Sequence, residues 1–110
     1  MKIPIDQASN LLKALADKSR LQIIEMLYDG EKSSKEIERG LGKCQSTTSQ
    51  HLKILMDSEL LSFRHEGLTK YYKVKADVLD FVAALSALVG KITQNKIGTI
   101  VSNDIKDTLF

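Results

Sequence analysis

The sequence predicts a mainly α-helical domain that carries one small β-hairpin. Aliphatic residues recur at helical spacing along the 110 residues, whereas aromatic residues make up only 5% and Trp is absent, so we expect an aliphatic core built by helices. Two short strand candidates flank a Gly within residues 61–74. A chain of this length supports one hydrophobic core and therefore one domain, over residues 1–95, followed by a tail over residues 96–110.

Two helices open the domain. Pro4 suits a first helical turn, and the apolar residues that follow it predict a helix over residues 5–16. Asp17 is a good N-cap for a second helix, and Asp29-Gly30 ends that helix. The second helix is expected to turn these residues inward: Leu21, Ile24, Leu27 and Tyr28.

Residues 33–58 predict two further helices joined by a tight turn. Ser33 or Ser34 can cap the first of them, and with Ser33 as the cap, Glu36 completes a capping box. The second begins near Gln45 and runs to about residue 58. Its inward residues, spaced for one helix face, are Thr48, Leu52 and Leu55.

Two short helices with a polar second member form a helix-turn-helix, and a DNA major groove about 12 Å wide admits one such helix. A Gln side chain can bond an adenine edge twice, Ser and Thr reach bases or phosphates, and Lys suits a phosphate. A polar helix that simply faces water is the alternative interpretation. The candidate DNA-binding residues around this helix are Lys43, Gln45, Ser46, Thr47, Ser49, Gln50, His51 and Lys53.

The hairpin over residues 61–74 would form a basic wing that grips the DNA backbone. Its candidate DNA-binding residues are Arg64, His65 and Lys70. Residues 32–75 hold nine Lys/Arg and five Asp/Glu, so this segment carries +4 while the rest of the chain carries −2. A basic middle between acidic ends favours a polyanionic partner such as double-stranded DNA, although an unevenly charged, solvated surface would give the same pattern.

A long helix is predicted from Asp77, its cap, to about residue 95. Its apolar residues alternate at steps of four and three, as in a coiled coil. Such a seam fits a core, a dimer interface or a membrane-surface face, but the helix lacks the basic polar face that anionic lipid favours. We expect a homodimer formed through residues 5–16 and 77–95, with these interface candidates: Leu11, Leu12, Val82, Leu85, Val89 and Ile92.

The tail over residues 96–110 has apolar residues four apart. Gly98 and the run Ser102-Asn103-Asp104 nevertheless predict a break after the long helix. We expect a second short helix there, which adds to the dimer interface.

Three segments of the chain together resemble the ArsR-type (ArsR/SmtB) winged helix-turn-helix regulators. Residues 15–24 resemble the opening of that family's domain, residues 44–55 its recognition helix and residues 60–72 its wing, in register over roughly residues 8–75. The resemblance implies a winged-helix homodimer, paired through its first and last helices. Such a dimer represses transcription from an inverted-repeat operator until an inducer weakens DNA binding.

Many members of that family sense metals through thiolate, imidazole or carboxylate ligands at fixed spacing. Where relatives carry Cys-x-Cys near the start of the third helix, this chain has Ser33-Ser34-Lys35, and no His follows Asp77. We therefore expect no metal site and no cofactor. His51 matches the family's recognition-helix motif, and packing or a phosphate contact is its expected role.

Cys44 stands where the family usually has Ser, at or next to the N-cap of the recognition helix. Backbone N–H groups, the helix dipole and Lys43 would stabilise a thiolate there. One hypothesis is a redox switch, in which oxidation or capping of the Cys44 thiol obstructs the groove-facing turn and releases DNA. The main alternative is a Cys that replaces a capping Ser and is functionally silent; metal ligation and an intermolecular disulfide are two others.

Leu68 is a second departure, because relatives often place a basic residue at the wing tip. A Leu there either removes a phosphate contact or packs on the hairpin.

These features predict a transcription regulator that binds DNA. No Ser/His/Asp set, phosphate-binding Gly loop or evident carboxylate pair points to an enzyme. The rival is a winged-helix module for protein contacts, which predicts an acidic or apolar helix over residues 45–58. The N-terminus lacks the apolar region of a signal peptide, and a lone Cys fits a reducing compartment. We expect a cytoplasmic protein with no membrane partner and with an unidentified small-molecule or redox effector.

Overall fold

The computed structural model describes the backbone of residues 1–103 and the side chains of residues 1–95. The chain consists of two compact units, the first over Met1–Ala76 and the second beginning at Asp77. The elements, in chain order, are α1 (Ile5–Leu15), α2 (Lys18–Leu27), β1 (Lys32–Ser33), α3 (Ser34–Leu41), α4 (Gln45–Asp57), β2 (Leu61–Glu66), β3 (Thr69–Val74) and α5 (Ala76–Asn103).

Local side-chain caps fix where α2 and α3 begin. The Asp17 side chain accepts a hydrogen bond from the Arg20 backbone N–H at 3.0 Å. The Ser33 hydroxyl accepts from the Glu36 backbone N–H at 3.2 Å, while the Glu36 carboxylate accepts from the Ser33 N–H at 2.9 Å. The predicted N-cap and capping box are therefore confirmed, with Ser33 as the cap.

The core of the first unit is aliphatic, as predicted, but α2 presents a different face to it. Ile23, Ile24 and Leu27 are at most 2% exposed, whereas Leu21 and Tyr28 are 40% and 43% exposed. The expected inward positions of Leu21 and Tyr28 are therefore wrong. The buried stripe is centred on Ile23, Ile24 and Leu27, and at 100° per residue the other two lie at its edge.

The predicted hairpin is present, but it belongs to a larger sheet. β2 and β3 pair in antiparallel register with Glu66 opposite Thr69, so Gly67 and Leu68 form a two-residue turn, and Gly67 has a φ of +63°. Gly supplies this left-handed conformation without steric cost. The sequence analysis missed β1, whose two residues pair with Tyr71 and Tyr72 of β3 in a sheet of order β1-β3-β2. This pairing attaches the start of α3 directly to the hairpin.

The last helix is longer than predicted. α5 is continuous over Ala76–Asn103, so the expected end near residue 95 and the break at Gly98 are wrong. One Gly inside a helix costs only about 1 kcal/mol relative to Ala, and no Pro interrupts the segment. The part of the predicted tail helix beyond residue 103 lies outside the described residues. Among the described residues, no helix has the length and apolar character needed to cross a membrane.

Candidate nucleic-acid interface

The rotation of α4 is set by its buried side. Thr48, Leu52 and Leu55 are 1%, 3% and 0% exposed, at the spacing predicted for the inward face. The opposite side of α4 is therefore turned to solvent. We call this exposed set the reading face: Ser46, Ser49, Gln50 and Lys53, with Gln45 exposed beside them in the first turn.

The structure brings most of the predicted DNA-binding residues to the surface. Lys43, Arg64 and His65 are exposed, like the reading face. The remaining three are half-buried: Thr47, His51 and Lys70.

His51 lies in a contact between helices rather than on the reading face. Its side chain is 16% exposed, with Nδ1 3.2 Å from a terminal nitrogen of the Arg20 guanidinium and 4.0 Å from the Asp17 carboxylate. The same guanidinium donates to the backbone carbonyls of Ala14, at 2.6 Å, and Lys13, at 3.4 Å. Of the two expected roles for His51, this position favours packing over a phosphate contact.

Asp17 is part of the same arrangement. The hydrogen bond from the Arg20 backbone N–H is the main reason that its pKa lies below the ordinary value, and the nearby charges of Arg20 and His51 add to it. Sequence reasoning missed this group, because Arg20 meets His51 across 31 positions of the chain.

Arg64 is an exposed cation, but carboxylates already surround it. Its Nε donates to both carboxylate oxygens of Glu31 at 3.1 Å, and Glu66 lies 3.7 Å away. The guanidinium also lies 4.7 Å from the centre of the Tyr71 ring. The hydrogen bond from Arg64 holds the pKa of Glu31 below its usual value. Arg64 thus ties the segment before β1 to the hairpin, and a contact to DNA stays a prediction.

An open cleft of about 370 Å³ lies between α4 and the hairpin. Two Lys side chains reach it, Lys53 from α4 and Lys70 from β3. The Lys70 ammonium lies 4.3 Å from the centre of the Phe63 ring, and Lys53 pairs with Asp57 at 3.0 Å. We call this feature the α4–hairpin cleft; it is lined by Ser49, Leu52, Lys53, Met56, Phe63, Lys70 and Tyr72.

Leu68 does not pack on the hairpin. Its side chain is fully exposed in the turn between β2 and β3, so of the two roles considered for it, packing is wrong.

Cys44 is the exposed N-cap residue of α4. Its thiol makes no capping hydrogen bond to the backbone; instead, Sγ lies 3.3 Å from the hydroxyls of both Ser46 and Thr47. These hydroxyls, Ser46 first, lower the pKa of Cys44 to about 6, and the backbone N–H groups of Thr47 and Ser46 contribute less. The thiol is therefore more acidic than that of an ordinary Cys, and the thiolate is its reactive form.

No group of three or more His, Cys, Asp and Glu side chains suited to a metal ion occurs among the described residues.

Sequence comparison assigns the chain to a family and relates it to named regulators. The profile of the family described as bacterial regulatory protein, arsR family, matches residues 17–62. The arsenical resistance operon repressor of Staphylococcus xylosus is 34% identical over 76 residues, which is 69% of this chain and 73% of that protein.

Solved structures agree with this assignment. The homodimeric winged helix-turn-helix DNA-binding domain of Mb0332 from Mycobacterium bovis has a TM-score of 0.78 and 30% identity, covering 83% of this chain and 85% of that one. Reduced HlyU from Vibrio cholerae has a TM-score of 0.70 and 38% identity, covering 76% and 90%. The fold is therefore a winged helix-turn-helix.

The unusual acidity of the Cys44 thiol can be measured directly. We expect its alkylation by iodoacetamide to reach half its maximal rate near pH 6, because the thiolate is the nucleophile. Ser46→Ala removes the largest stabilising interaction and should move this midpoint towards the ordinary value. A wild-type midpoint above pH 8 would contradict the geometry around Sγ.

Proposed function

This chain belongs to the arsR family of bacterial regulatory proteins, which bind DNA and regulate transcription rather than act as enzymes, and we propose that it is a homodimeric repressor of an inverted-repeat operator. The single observation that carries the proposal is the orientation of α4, whose buried stripe leaves a polar, hydroxyl- and amide-bearing side exposed. A regulator of bacterial promoters works in the cytoplasm, where the DNA is.

The reading face supplies the groups that base recognition needs. Gln50 and Gln45 offer an amide that can bond both edge positions of an adenine, and Ser46 and Ser49 can serve bases or phosphates. With α4 in the major groove, the α4–hairpin cleft would straddle the adjacent sugar–phosphate strand, with Lys53 and Lys70 beside it. A module for protein contacts alone would need an apolar or acidic surface here, and the reading face is neither.

Base readout and phosphate binding can be separated by two kinds of variant. Gln50→Ala should weaken the operator complex by about 1–3 kcal/mol for each base that the side chain reads and leave random duplex unaffected, and Gln45→Ala should behave alike. Lys53→Ala should weaken both duplexes equally and lower the log–log salt slope by about 0.9 for each phosphate that is no longer neutralised. Fluorescence anisotropy with a selected operator measures both effects. Equal decreases in affinity on both duplexes for the Gln variants would show that α4 does not read bases.

Apolar side chains on α1 and α5 would form the dimer interface. Leu12, Val89 and Ile92 are 53%, 52% and 53% exposed. Contact of such apolar side chains with water is unfavourable, so their burial would stabilise a dimer. The predicted partners Leu11, Val82 and Leu85 are half-buried. α5 has 28 residues, so the helix is about 42 Å long at 1.5 Å per residue, and its interface candidates lie within its described part. The homodimeric state of the Mycobacterium bovis relative supports the same assembly.

A charge in the seam should break this dimer. Val89→Asp places a carboxylate among apolar groups and should shift the protein towards monomer in sedimentation velocity, with a parallel decrease in operator affinity. Ala87→Asp is the matched control, because it adds the same charge to an exposed position on the other side of α5. If both variants remain dimeric at micromolar concentration, the seam is not the interface.

For the signal, a redox inducer fits this chain better than a metal. Cys44 is exposed and its Sγ lies beside the Ser46 and Thr47 hydroxyls, which lower the thiol's pKa and so support a reactive group over a silent replacement of a capping Ser. A peroxide would oxidise the thiolate to a sulfenic acid: the sulfur attacks one peroxide oxygen, and the other leaves as hydroxide and becomes water. The added oxygen would lie against Ser46 and Thr47, at the turn that enters the groove.

Cys44→Ser tests this switch. We expect the reduced wild type and Cys44→Ser to bind the operator with equal affinity. Hydrogen peroxide should weaken operator binding only in the wild type, and mass spectrometry should detect one added oxygen there. Dithiothreitol should reverse the effect. A wild type whose affinity is unchanged after oxidation, or a variant that responds as strongly, would exclude Cys44 as the sensor.

A further inference from the structure

A second groove lies on the other flank of the hairpin, between α3 and β3. It has a volume of about 420 Å³ and opens to solvent. Its walls come from the first turns of α3 and from the hairpin tip. We call it the α3–hairpin groove; its lining includes Lys35, Arg39, Leu68, Thr69 and Lys70.

The cations in this groove are not neutralised by carboxylates. Lys35 and Arg39 are four residues apart and therefore share one side of α3, and both are exposed. Neither forms an ion pair within the part of the chain that the structure describes. Glu36 is adjacent to Lys35 in sequence and Glu38 is adjacent to Arg39. The Ser33 backbone N–H donates to the Glu36 carboxylate and is the main cause of its lowered pKa, to which the Arg39 charge adds less. Neither acid is among the residues that line the groove. The groove therefore keeps a net positive charge.

Arg64 provides the contrast. The hairpin's arginine is held by Glu31 and Glu66, so a phosphate that binds there would first have to displace a carboxylate. Lys35 and Arg39 form no such ion pair within the described part of the chain. An anion is therefore bound at lower cost on the α3 side of the hairpin than at Arg64.

The α3–hairpin groove is also continuous with the surface assigned to DNA. Lys70 lines both this groove and the α4–hairpin cleft, so the two lie next to each other on the hairpin. Leu68 lines the groove and is fully exposed, and minor-groove proteins use apolar side chains of this kind against base steps. A DNA strand seated in the cleft can thus continue past the hairpin.

We propose that the α3–hairpin groove binds backbone phosphates of the operator that flank the half-site read by α4, with Lys35 and Arg39 as the phosphate-binding cations. This inference rests on the proposed function, because it needs α4 in the major groove. It adds a sequence-independent grip from the first helix of the helix-turn-helix, and it makes flanking DNA part of the binding site.

A salt titration of Lys35→Ala/Arg39→Ala tests the proposal. Removing two phosphate-binding cations from each subunit of a dimer should reduce the log–log salt slope by about 3.6, at 0.9 per phosphate, while the operator-to-random affinity ratio stays unchanged. Trimming the duplex to the two half-sites should weaken wild-type binding by the same factor as the double substitution does on the full operator. On the trimmed duplex, the wild type and the variant should therefore have equal affinities. Both positions are exposed in a helix that Ala favours, and circular dichroism would confirm folding.

Lys2→Ala/Lys18→Ala is the matched control, since it removes two exposed charges elsewhere and should leave the slope near that of the wild type. If the two double variants have equal slopes while the wild type still distinguishes operator from random DNA, only this proposal fails. If the wild type does not bind duplex DNA, the proposed function itself fails. Tight binding of inorganic pyrophosphate by the wild type, with no change of salt slope in the variant, would assign the groove to a small anion and overturn the proposal.

Discussion

Burial of one stripe of α4 controls what the opposite side of that helix can contact. Thr48, Leu52 and Leu55 are nearly inaccessible to solvent, and a helix cannot turn one face inward without turning the other outward. The Thr48 hydroxyl has no hydrogen-bond partner among the described residues, which costs free energy in a buried site. The same burial turns Ser46, Ser49, Gln50 and Lys53 to solvent.

The Arg20 side chain links α4 to α1, near the start of the chain. It donates to carbonyls at the end of α1, lies within hydrogen-bond distance of His51 on α4, and its own backbone N–H is bound by the Asp17 cap of α2. Three helices therefore meet at one guanidinium, whose rigid set of donors suits such a junction.

Signals within a few residues of one another were sufficient to predict most of this fold. The Asp17 cap, the Ser33–Glu36 capping box, the buried stripe of α4 and the hairpin each depend on side chains close in sequence. The features that were missed depend on distant partners: two-residue β1 exists only because β3 pairs with it, and Arg64 meets Glu31 across 33 positions. The length of α5 was underestimated because Gly98 was expected to break the helix. A helix tolerates a single Gly in its interior at a small cost in stability.

The same distinction applies to charge. Sequence counts nine cations over residues 32–75, yet the structure commits Arg64 to Glu31 and Lys53 to Asp57. Counterion release depends on the phosphates that a protein neutralises, not on the cations it contains. A side chain with a carboxylate partner must exchange one anion for another, whereas Lys35 and Arg39 form no ion pair among the residues that the structure describes. Arg64 therefore fastens the hairpin to Glu31, whereas Lys35 and Arg39 of α3 are better placed to neutralise phosphates.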